Sequence, residues 1–548
     1  MAVNHEWRHP YPINPEYNKK VAYFCMEFGI DQALKIYSGG LGFLAGSHMK
    51  SAYTLGQNMV AVGMLWKFGY YDQVRDENNH MVAKLIKKYY NFLEDTNIKV
   101  KISINNFPVY VKALYLPPEI FHTVPVYLLT TDLPENDHLA RTITHRLYDP
   151  NPLTRIAQKI VLGIGGAKVI DELGGAEVYH MNEAHPLPLC FHLYSKFQSW
   201  EKVKERCVFT THTPERAGNE ETAFQDLNMM NYFGEVPAAE IRRATNTQGN
   251  MFNHTAAALQ MVKAVNGVSE IHAKVATEMW SYLPNIPEIK GITNAQNKGF
   301  WIDEKLQEAF EHKNLDALKS RKREMKRHLF KEVADQCGKI FDPGVLTIVW
   351  ARRFAEYKRP SLVLHDLERF AAILNNPGMP VQFIWAGKPY PEDWKMMDMF
   401  NYLIDFTHDQ KNAAVVTGYE IYLSRLLKQG SDVWLNNPRR PREASGTSGM
   451  SAAKNGTVNF SISDGWIPEF ARHAENSFIL PIADLTTSVF EQDNFDAQNL
   501  YRMLEEEIVP FYYNDPARWW DIVIQSMADV TPTFHSDRMA DEYYKEMY

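Results

Sequence analysis

The chain has 548 residues, of which 45% are hydrophobic and 23% are charged, and its formal net charge is −8 at pH 7. A chain of this length is too long for one compact core, and its composition is that of a folded globular protein, which excludes a fibrous or disordered one. The acidic balance excludes an extended basic surface for nucleic acid or an anionic membrane. Any phosphate that the protein binds must therefore meet a local basic pocket.

The cysteines and the N-terminus indicate the compartment. The four cysteines, Cys25, Cys190, Cys207 and Cys337, show no C-x-x-C spacing, which is typical of a reducing compartment and excludes a zinc site built from cysteines. The N-terminal residues lack the pattern of a signal peptide, and no stretch approaches the roughly 20 apolar residues that span a bilayer. We expect a cytoplasmic protein with no nucleic-acid partner, no membrane partner and no metal site; a homo-oligomer stays open.

Short apolar runs alternate with longer amphipathic segments along the chain, a rhythm typical of βα units around parallel sheets. The first series of predicted strands covers residues 21–26, 126–129, 178–181, 207–211 and 289–293. The second series covers residues 346–351, 382–386, 413–417, 433–436 and 458–462. Several of these strands end in a polar or glycine-containing turn, which is where open α/β sheets place ligands.

Helical spacing of apolar residues predicts one helix between the two series, at residues 314–338, and closing helices at residues 497–509, 517–527 and 537–547. The sequence thus predicts an α/β protein of two domains that face a cleft. The boundaries that we expect are an N-terminal domain in residues 1–335, a C-terminal domain in residues 336–515, and closing helices in residues 516–548 that pack back on the first domain.

Three segments contain the residue types that bind anions. Residues 37–46, rich in glycine, follow the first strand and lead into a helix, so their N–H groups can approach an anion closely. Residues 350–360 place Arg353 and Lys358 after a strand, where an arginine fork and a lysine charge suit phosphate. Residues 432–449 end in a Gly, Ser and Thr run that offers a second anion site, with Glu443 as an acceptor for sugar hydroxyls. The alternatives are tight turns and a solvated basic helix start.

Two further segments place histidines at strand ends in the first half of the chain, with His180 and His185 in residues 179–185 and His212 in residues 209–214. Side chains in such positions can donate hydrogen bonds to sugar hydroxyls, and a purely structural histidine is the alternative. His180 and His185 are five residues apart, which differs from the i, i+4 spacing of helical zinc motifs. A metal site is therefore not expected.

Together these segments resemble the α-glucan phosphorylases, the family of glycogen and maltodextrin phosphorylase, and especially its short bacterial form. The resemblance runs from about residue 21 to residue 464 and includes residues 22–30, 38–46 and 266–269. It implies the GT-B fold, in which two Rossmann-like domains face a central cleft. It also implies that phosphate cleaves the terminal α-1,4 bond of a glucan or maltooligosaccharide and yields the sugar phosphate glucose 1-phosphate with retained configuration.

The resemblance also implies roles for individual residues. The implied catalytic residues are Arg353, Lys358, His212 and Glu443, and the implied substrate-binding residues are Gly40, Asn294, Ser445 and Gly446. Arg353 and Lys358 match ligands of the substrate phosphate, together with the Gly40 N–H. His212 matches a histidine whose backbone carbonyl faces the oxocarbenium ion, while Asn294 and Glu443 match residues that hold glucose hydroxyls.

The family uses pyridoxal phosphate, and the resemblance extends in part to that cofactor. The implied cofactor-binding residues are Arg352, Tyr419, Gly446, Thr447, Ser448 and Lys454. Ser451, however, occupies the position of the family's Schiff-base lysine, and a serine cannot form an aldimine. Lys454 shares a helical face with Ser451 about one turn away and is the candidate for a relocated attachment.

Two other functions stay open beside phosphorolysis. Loss of the cofactor lysine would make room for a sugar nucleotide, which favours a cofactor-independent glycosyltransferase that uses a nucleoside-diphosphate sugar. A catalytically silent glucan-binding protein is the third hypothesis. The retained Arg353, Lys358 and Glu443 disfavour it, because buried charges without a ligand are costly to keep.

Overall fold

The computed structural model describes Trp7 and residues 9–548, which form two compact units. Unit 1 comprises the described residues up to 71, residues 85–294 and residues 536–548. Unit 2 comprises residues 72–84 and 295–535. No helix in the described part of the chain is long and apolar enough to cross a membrane.

The strands of the described chain are β1 (Val21–Phe24), β2 (Met59–Met64), β3 (Asp72–Arg75), β4 (Met81–Lys84), β5 (Glu94–Ile104), β6 (Phe107–Leu116), β7 (Val126–Thr130), β8 (Val178–Asn182), β9 (Cys207–Thr210), β10 (Glu221–Ala223), β11 (Met251–Asn253), β12 (Ala264–Gly267), β13 (Ile289–Gly291), β14 (Leu346–Ala351), β15 (Val381–Ala386), β16 (Ala413–Val416), β17 (Val433–Asn436), β18 (Val458–Ile462) and β19 (Ser477–Leu480).

The helices are α1 (Gly40–Thr54), α2 (Pro118–Phe121), α3 (His138–Thr142), α4 (Pro152–Ile160), α5 (Gly166–Glu172), α6 (Pro188–Phe197), α7 (Trp200–Lys204), α8 (Phe224–Met229), α9 (Ala238–Ala244), α10 (His254–Gln260), α11 (Glu270–Met279), α12 (Lys298–Trp301), α13 (Glu304–Glu311), α14 (Leu315–Cys337), α15 (Leu367–Leu374), α16 (Trp394–His408), α17 (Ile421–Gly430), α18 (Ser448–Ala453), α19 (Ile467–Phe470), α20 (Val489–Met503), α21 (Val509–Asn514), α22 (Pro516–Thr533) and α23 (Ser536–Glu546). Two π-helical segments, Val161–Gly165 and Leu504–Ile508, connect helices.

Unit 1 is built on a nine-stranded sheet of order β13-β12-β9-β8-β1-β2-β7-β6-β5. The strands from β13 to β7 are parallel, whereas β6 and β5 form an antiparallel edge. The central strands β1, β2 and β8 are buried throughout, as expected for a parallel sheet covered on both faces. Because the strands are parallel, the segments that follow β1, β8, β9 and β13 meet at one edge of the sheet.

Unit 2 contains a six-stranded sheet of order β16-β15-β14-β17-β18-β19, and every neighbouring pair in it is parallel. The chain proceeds from β14 outward in one direction and from β17 outward in the other. The switch point therefore lies between β14 and β17, which is where an open α/β sheet leaves a crevice for ligands. The segments after these two strands contain Arg352, Arg353, Lys358 and Glu443.

The predicted helix at residues 314–338 is α14, and its ends have clear local causes. The Asn314 side chain accepts a hydrogen bond from the Ala317 N–H, and Gly338 ends the helix with a φ of +65°. The helix belongs to unit 2, although the sequence analysis assigned most of it to the N-terminal domain. Its buried Lys322 explains the difference, because the amine donates to the Asn455 carbonyl at 2.8 Å and to the Gln429 carbonyl at 2.9 Å.

The closing helices are divided between the two units, whereas the sequence analysis expected all of residues 516–548 on the first domain. Helix α22 belongs to unit 2, because Val530 packs with Phe534, Trp466 and Phe470 in a buried apolar cluster. Helix α23 belongs to unit 1, where the Ser536 and Ser51 hydroxyls are 2.6 Å apart. Of residues 516–548, therefore, only residues 536–548 belong to unit 1.

Candidate active site

The switch point of unit 2 contains a buried group of opposite charges. Lys358 follows β14 and is 7% exposed, and Glu443 follows β17 and is 8% exposed. The Lys358 amine donates a hydrogen bond to the Glu443 carboxylate, and Arg352 Nη1 lies 3.4 Å from the same carboxylate oxygen. Arg353, by contrast, is exposed. The structure thus joins Lys358, Arg352 and Glu443 directly and places Arg353 at the surface.

These charges fix the ionisation state of Glu443. Burial opposes ionisation of this carboxyl, but the nearby positive charges of Lys358 and Arg352 prevail and lower its pKa below the usual value. Glu443 is therefore a carboxylate at neutral pH. A phosphate that binds Lys358 must share that amine with Glu443, so binding of the anion and positioning of the carboxylate are coupled.

Arg352 and Ser445 supply polar atoms that have no hydrogen-bond partner within the described residues. Arg352 is 6% exposed, and its Nε and Nη1 atoms donate no hydrogen bond, although Nη1 is in ionic contact with Glu443. The buried Ser445 hydroxyl is also without a partner. Buried donors are normally satisfied, and a guanidinium fork suits an anion with several oxygens. This group is therefore suited to bind a phosphate-like anion.

Two glycines allow the backbone around Glu443 to fold tightly. Gly446 has a φ of +85° and Gly465 has a φ of +60°. Residues other than glycine rarely adopt this backbone conformation. A Cβ on Gly465 would lie 2.3 Å from the Ser445 carbonyl oxygen. Asp464 accepts a hydrogen bond from the Glu443 N–H at 2.9 Å, which secures the same turn. Asp464 was not predicted as a site residue from the sequence. Burial raises the pKa of its carboxyl to about 7.

The predicted phosphate cradle lies at the start of α18. Thr447 is its N-terminal flanking residue, and Gly446 precedes it. The Ser448 hydroxyl accepts a hydrogen bond from the Trp434 indole N–H at 3.2 Å. Helix α18 has six residues, so the atoms of Arg352 and Ser445 that lack hydrogen-bond partners among the described residues indicate the anion site better than this short helix does.

The residues around α18 do not fit a pyridoxal phosphate held as a lysine aldimine. Ser451 is fully buried, and its hydroxyl donates back to the Ser448 carbonyl at 3.2 Å. The Lys454 amine donates to the carbonyl oxygens of Gln296 and Phe534, at 2.9 Å each. Tyr419, predicted beside the cofactor, is buried, and its hydroxyl is 3.4 Å from the Ala351 carbonyl. The donors suit a phosphate group, but no amine near Ser451 is placed to form the aldimine.

Unit 1 brings three predicted residues to one edge of its sheet. His212 follows β9, Asn294 follows β13, and Gly40 begins α1 within the glycine-rich segment. Asn182 Oδ1 lies 2.7 Å from His212 Nε2, and Glu183 accepts a hydrogen bond from the His212 N–H. Asn294 is buried, and its Oδ1 has no hydrogen-bond partner in the described residues.

Glu27 holds the glycine-rich loop in place. Its carboxylate accepts hydrogen bonds from the Ser38 N–H at 2.7 Å and the Gly39 N–H at 3.2 Å, and Tyr148 donates to it at 2.7 Å. Glu27 and the role of Glu183 were not predicted from the sequence. Each carboxylate follows a buried parallel strand, a position where such sheets place functional groups, and that position was the signal that could have identified both.

His180 has the structural role that the sequence analysis kept as an alternative. It is fully buried, with the Tyr548 hydroxyl 2.7 Å from Nδ1 and the Thr210 hydroxyl 2.8 Å from Nε2. Both ring nitrogens are therefore used within unit 1. Among the described residues, no three His, Cys, Asp or Glu side chains are grouped to hold a metal ion.

Replacement of Glu183 by glutamine is expected to reduce the pH dependence of stability. Burial raises the pKa of this carboxyl from 4.5 to about 7, so its acid form is favoured in the folded state. The carboxyl contributes its full stabilisation at pH values below its pKa in the unfolded chain. As the pH rises through 7 that contribution is lost, which lowers the free energy of unfolding by about 2 kcal/mol. Glu183→Gln should therefore lose less stability than wild type between pH 5 and pH 8, as measured by denaturant unfolding.

The exposed Glu205, which is 72% accessible, provides the matched control for this measurement. Glu205→Gln should keep the wild-type pH profile. Equal profiles for wild type and Glu183→Gln would contradict a raised pKa at position 183.

The sequence is similar to known carbohydrate-active enzymes. A family model described as carbohydrate phosphorylase matches residues 292–506. A maltodextrin phosphorylase of Thermococcus litoralis is 34% identical over 97% of this chain and 71% of its own length. A glycogen phosphorylase of Aquifex aeolicus is 31% identical over 97% of this chain and 86% of its own. An uncharacterised protein of Methanocaldococcus jannaschii is 48% identical over 97% of this chain and all of its own.

The long matches cover the segments that contain the buried charge group of unit 2 and the strand-end residues of unit 1. Identity above 30% over most of both chains establishes common descent, and it agrees with the α/β architecture built on parallel sheets. The chain therefore belongs to the carbohydrate phosphorylase family.

Proposed function

We propose that this protein is an α-glucan phosphorylase that releases glucose 1-phosphate from the non-reducing end of an α-1,4-glucan or maltooligosaccharide, with retained configuration. The observation that carries the proposal is the buried group of Lys358, Arg352, Glu443 and Ser445 at the switch point of unit 2. The proposed arrangement is GT-B, in which the two domains face a cleft, with Gly40, His212 and Asn294 supplied by the first domain.

The reaction breaks the bond between C1 of the terminal glucose and the glycosidic oxygen, and it forms a bond from C1 to a phosphate oxygen. A proton from the phosphate passes to the departing oxygen, so that no other reactant is needed. In the proposed site, Lys358 and Arg352 neutralise the phosphate, and Arg353 is a further predicted ligand. Charges fixed in a water-poor site stabilise a charge-separated transition state without the cost of reorganisation.

The remaining proposed roles concern the binding of the glucose unit. Glu443 and Asn294 hold glucose hydroxyls, while the His212 carbonyl faces the developing positive charge at C1. Glu183 and Asn182 would hold His212 through its N–H and its Nε2, respectively. Because phosphate must attack the face from which the glycosidic oxygen departs, the sugar and the phosphate have to be held rigidly, and these contacts provide that rigidity.

The test is phosphate-dependent release of glucose 1-phosphate from maltooligosaccharides by the full chain. We expect product that increases with phosphate and none when phosphate is omitted. The Ser451 substitution and the engaged Lys454 amine also favour a second candidate, a cofactor-independent glycosyltransferase. Glucose transfer from a nucleoside-diphosphate glucose, with no phosphorolysis, would establish that candidate instead. Oligosaccharide binding without turnover in either assay would indicate a silent glucan-binding protein.

A further inference from the structure

We propose that this chain carries no pyridoxal phosphate on a lysine, and that Lys454 instead fastens together two of the four chain segments that connect the compact units. The first of these two connections follows Asn294, and the second follows His535; the other two follow Tyr71 and Lys84. Lys454 and both of its carbonyl partners belong to unit 2. The inference does not require the proposed reaction, since attachment of an aldehyde can be measured without turnover.

The contacts of Lys454 are those of a structural residue. It is 2% exposed, and its amine donates to the Gln296 carbonyl, two residues after the first connection, and to the Phe534 carbonyl, next to the second. The Gln296 N–H also donates to the Phe534 carbonyl at 3.1 Å, and Gln296 forms a parallel bridge with His535. The two connecting segments are thus hydrogen-bonded to each other, and one buried amine is bonded to both.

Such an amine is poorly suited to imine formation. An aldimine requires a neutral amine that can approach the aldehyde carbon. Freeing Lys454 would leave two buried carbonyl oxygens without this donor, and each lost buried hydrogen bond costs free energy. Ser451, one turn earlier, has no amine at all. The segment from Glu443 to Asp464 contains no lysine other than Lys454.

The other buried lysines of unit 2 are also engaged. Lys322 donates to the backbone carbonyls of Gln429 and Asn455, and Lys326 donates to the Val345 carbonyl and the Asp432 carboxylate. Lys358 pairs with the Glu443 carboxylate, Lys388 with the Glu420 carboxylate, and Lys428 lies over the Trp301 ring. Lys428 lies 3.6 Å from the centre of that ring. Each of these amines would have to give up its contacts to become a replacement anchor. Burial lowers the pKa of Lys428, so Lys428 is the lysine to compare with Lys454 in the labelling test below.

The first test is chemical labelling of the full chain. The folded protein is incubated with equimolar pyridoxal phosphate, passed through a desalting column, reduced with borohydride and analysed by peptide mass spectrometry. We expect no peptide with a stoichiometric pyridoxyl group. The same chain labelled while unfolded, with its lysines exposed, shows that the procedure detects adducts. A stoichiometric adduct on Lys454, or on another lysine such as Lys428, would overturn the proposal.

The second test separates a structural lysine from an anchor. Lys454→Met should lower the Tm by several degrees and speed hydrogen exchange in peptides that contain residues 295–297 and 533–535, because the amine that joins them is gone. Lys395→Met is the matched control, since Lys395 is 67% exposed and pairs with the exposed Glu356 at the surface. Wild-type exchange in both peptides of Lys454→Met would refute the structural role. Should this variant fail to fold, the labelling of the wild-type chain still decides the question.

The two proposals fail in distinguishable ways. Phosphorolysis by a chain that labels stoichiometrically would retain the proposed function and overturn the inference about Lys454. A chain that does not label and does not release glucose 1-phosphate would retain the inference about Lys454 and overturn the proposed function. Phosphorolysis by a chain that does not label would support both proposals.

Discussion

Replacement of Lys358 by glutamine is expected to lower the rate of glucose 1-phosphate release by about 10²- to 10³-fold, the usual effect of removing one charged or donor group from a transition state. The Lys358 amine is buried against the Glu443 carboxylate, with Arg352 beside it. Glutamine keeps much of the side-chain length but removes the charge that would balance a phosphate. The loss should therefore appear in kcat and also as a higher KM for phosphate.

The stability of the variant needs a separate measurement. Removing one partner of a buried ion pair commonly costs about 3–5 kcal/mol, because the other charge is left without its partner. Here Arg352 remains 3.4 Å from Glu443, so we expect a cost at the lower end of that range. Rates should be measured well below the Tm of each variant, and Lys358→Arg, which keeps the charge, should lose less activity than Lys358→Gln.

The control is Lys395→Gln, which makes the same chemical change in an exposed ion pair of unit 2. Lys395 lies 2.7 Å from Glu356, and the two side chains are 67% and 72% exposed. Such a surface pair contributes little, so activity and Tm should stay close to wild type. A folded Lys358→Gln variant with wild-type kcat and KM for phosphate would remove Lys358 from the proposed site.

The central strands and the long helix of unit 2 could be predicted from the sequence. The predicted strands at residues 346–351, 433–436 and 458–462 coincide with β14, β17 and β18, which are buried strands of a parallel sheet. Strands β14 and β17 are mostly apolar, whereas in β18 apolar residues alternate with the buried Asn459 and Ser461. Helix α14 ends one residue inside its predicted limits at each end. Asn314 and Gly338 mark those limits in the sequence, as helix-capping residues do.

Other strands were not predicted, although some of them have a local signal. Strand β2 is a buried apolar run, and the antiparallel strands β5 and β6 alternate between buried and exposed side chains, a pattern typical of a half-buried strand. The short strands β12 and β19 were also omitted. The closing helices in residues 516–548 were placed together on the first domain, although α22 belongs to unit 2. That assignment depends on long-range contacts such as the packing of Val530 with Trp466, which no local spacing encodes.

At the site, the sequence predicted which residue types follow the strands but not which side chains contact each other. The sequence indicated a basic segment after one strand and a carboxylate after another, because both positions follow from the parallel-sheet rule. It did not indicate that Lys358 and Glu443, 85 residues apart, would be direct partners. Nor did it indicate that Asp464 would accept the Glu443 N–H, or that Lys454 would bond to two connecting segments.

Replacement of Gly465 by alanine is expected to disrupt the turn that positions Glu443 and Ser445. Gly465 has a φ of +60°, and a Cβ there would lie 2.3 Å from the Ser445 carbonyl oxygen and 3.1 Å from Glu443 Cγ. Because the first contact is with backbone, the turn itself has to move. A displacement of about 1 Å at a catalytic group can cost about 10²-fold in rate, and we expect a loss of at least that size.

Gly338→Ala isolates the effect of backbone conformation from the effect of the clash. Gly338 ends α14 with a φ of +65°, and a Cβ built on it meets no atom within 4 Å. Alanine at either position pays about 1–2 kcal/mol for the left-handed conformation. Only Gly465→Ala should also lose glucose 1-phosphate release and should have a lower Tm than Gly338→Ala. Equal activity in the two variants would show that the Glu443 turn tolerates displacement, and the rigid placement of Glu443 and Ser445 would then have no part in the reaction.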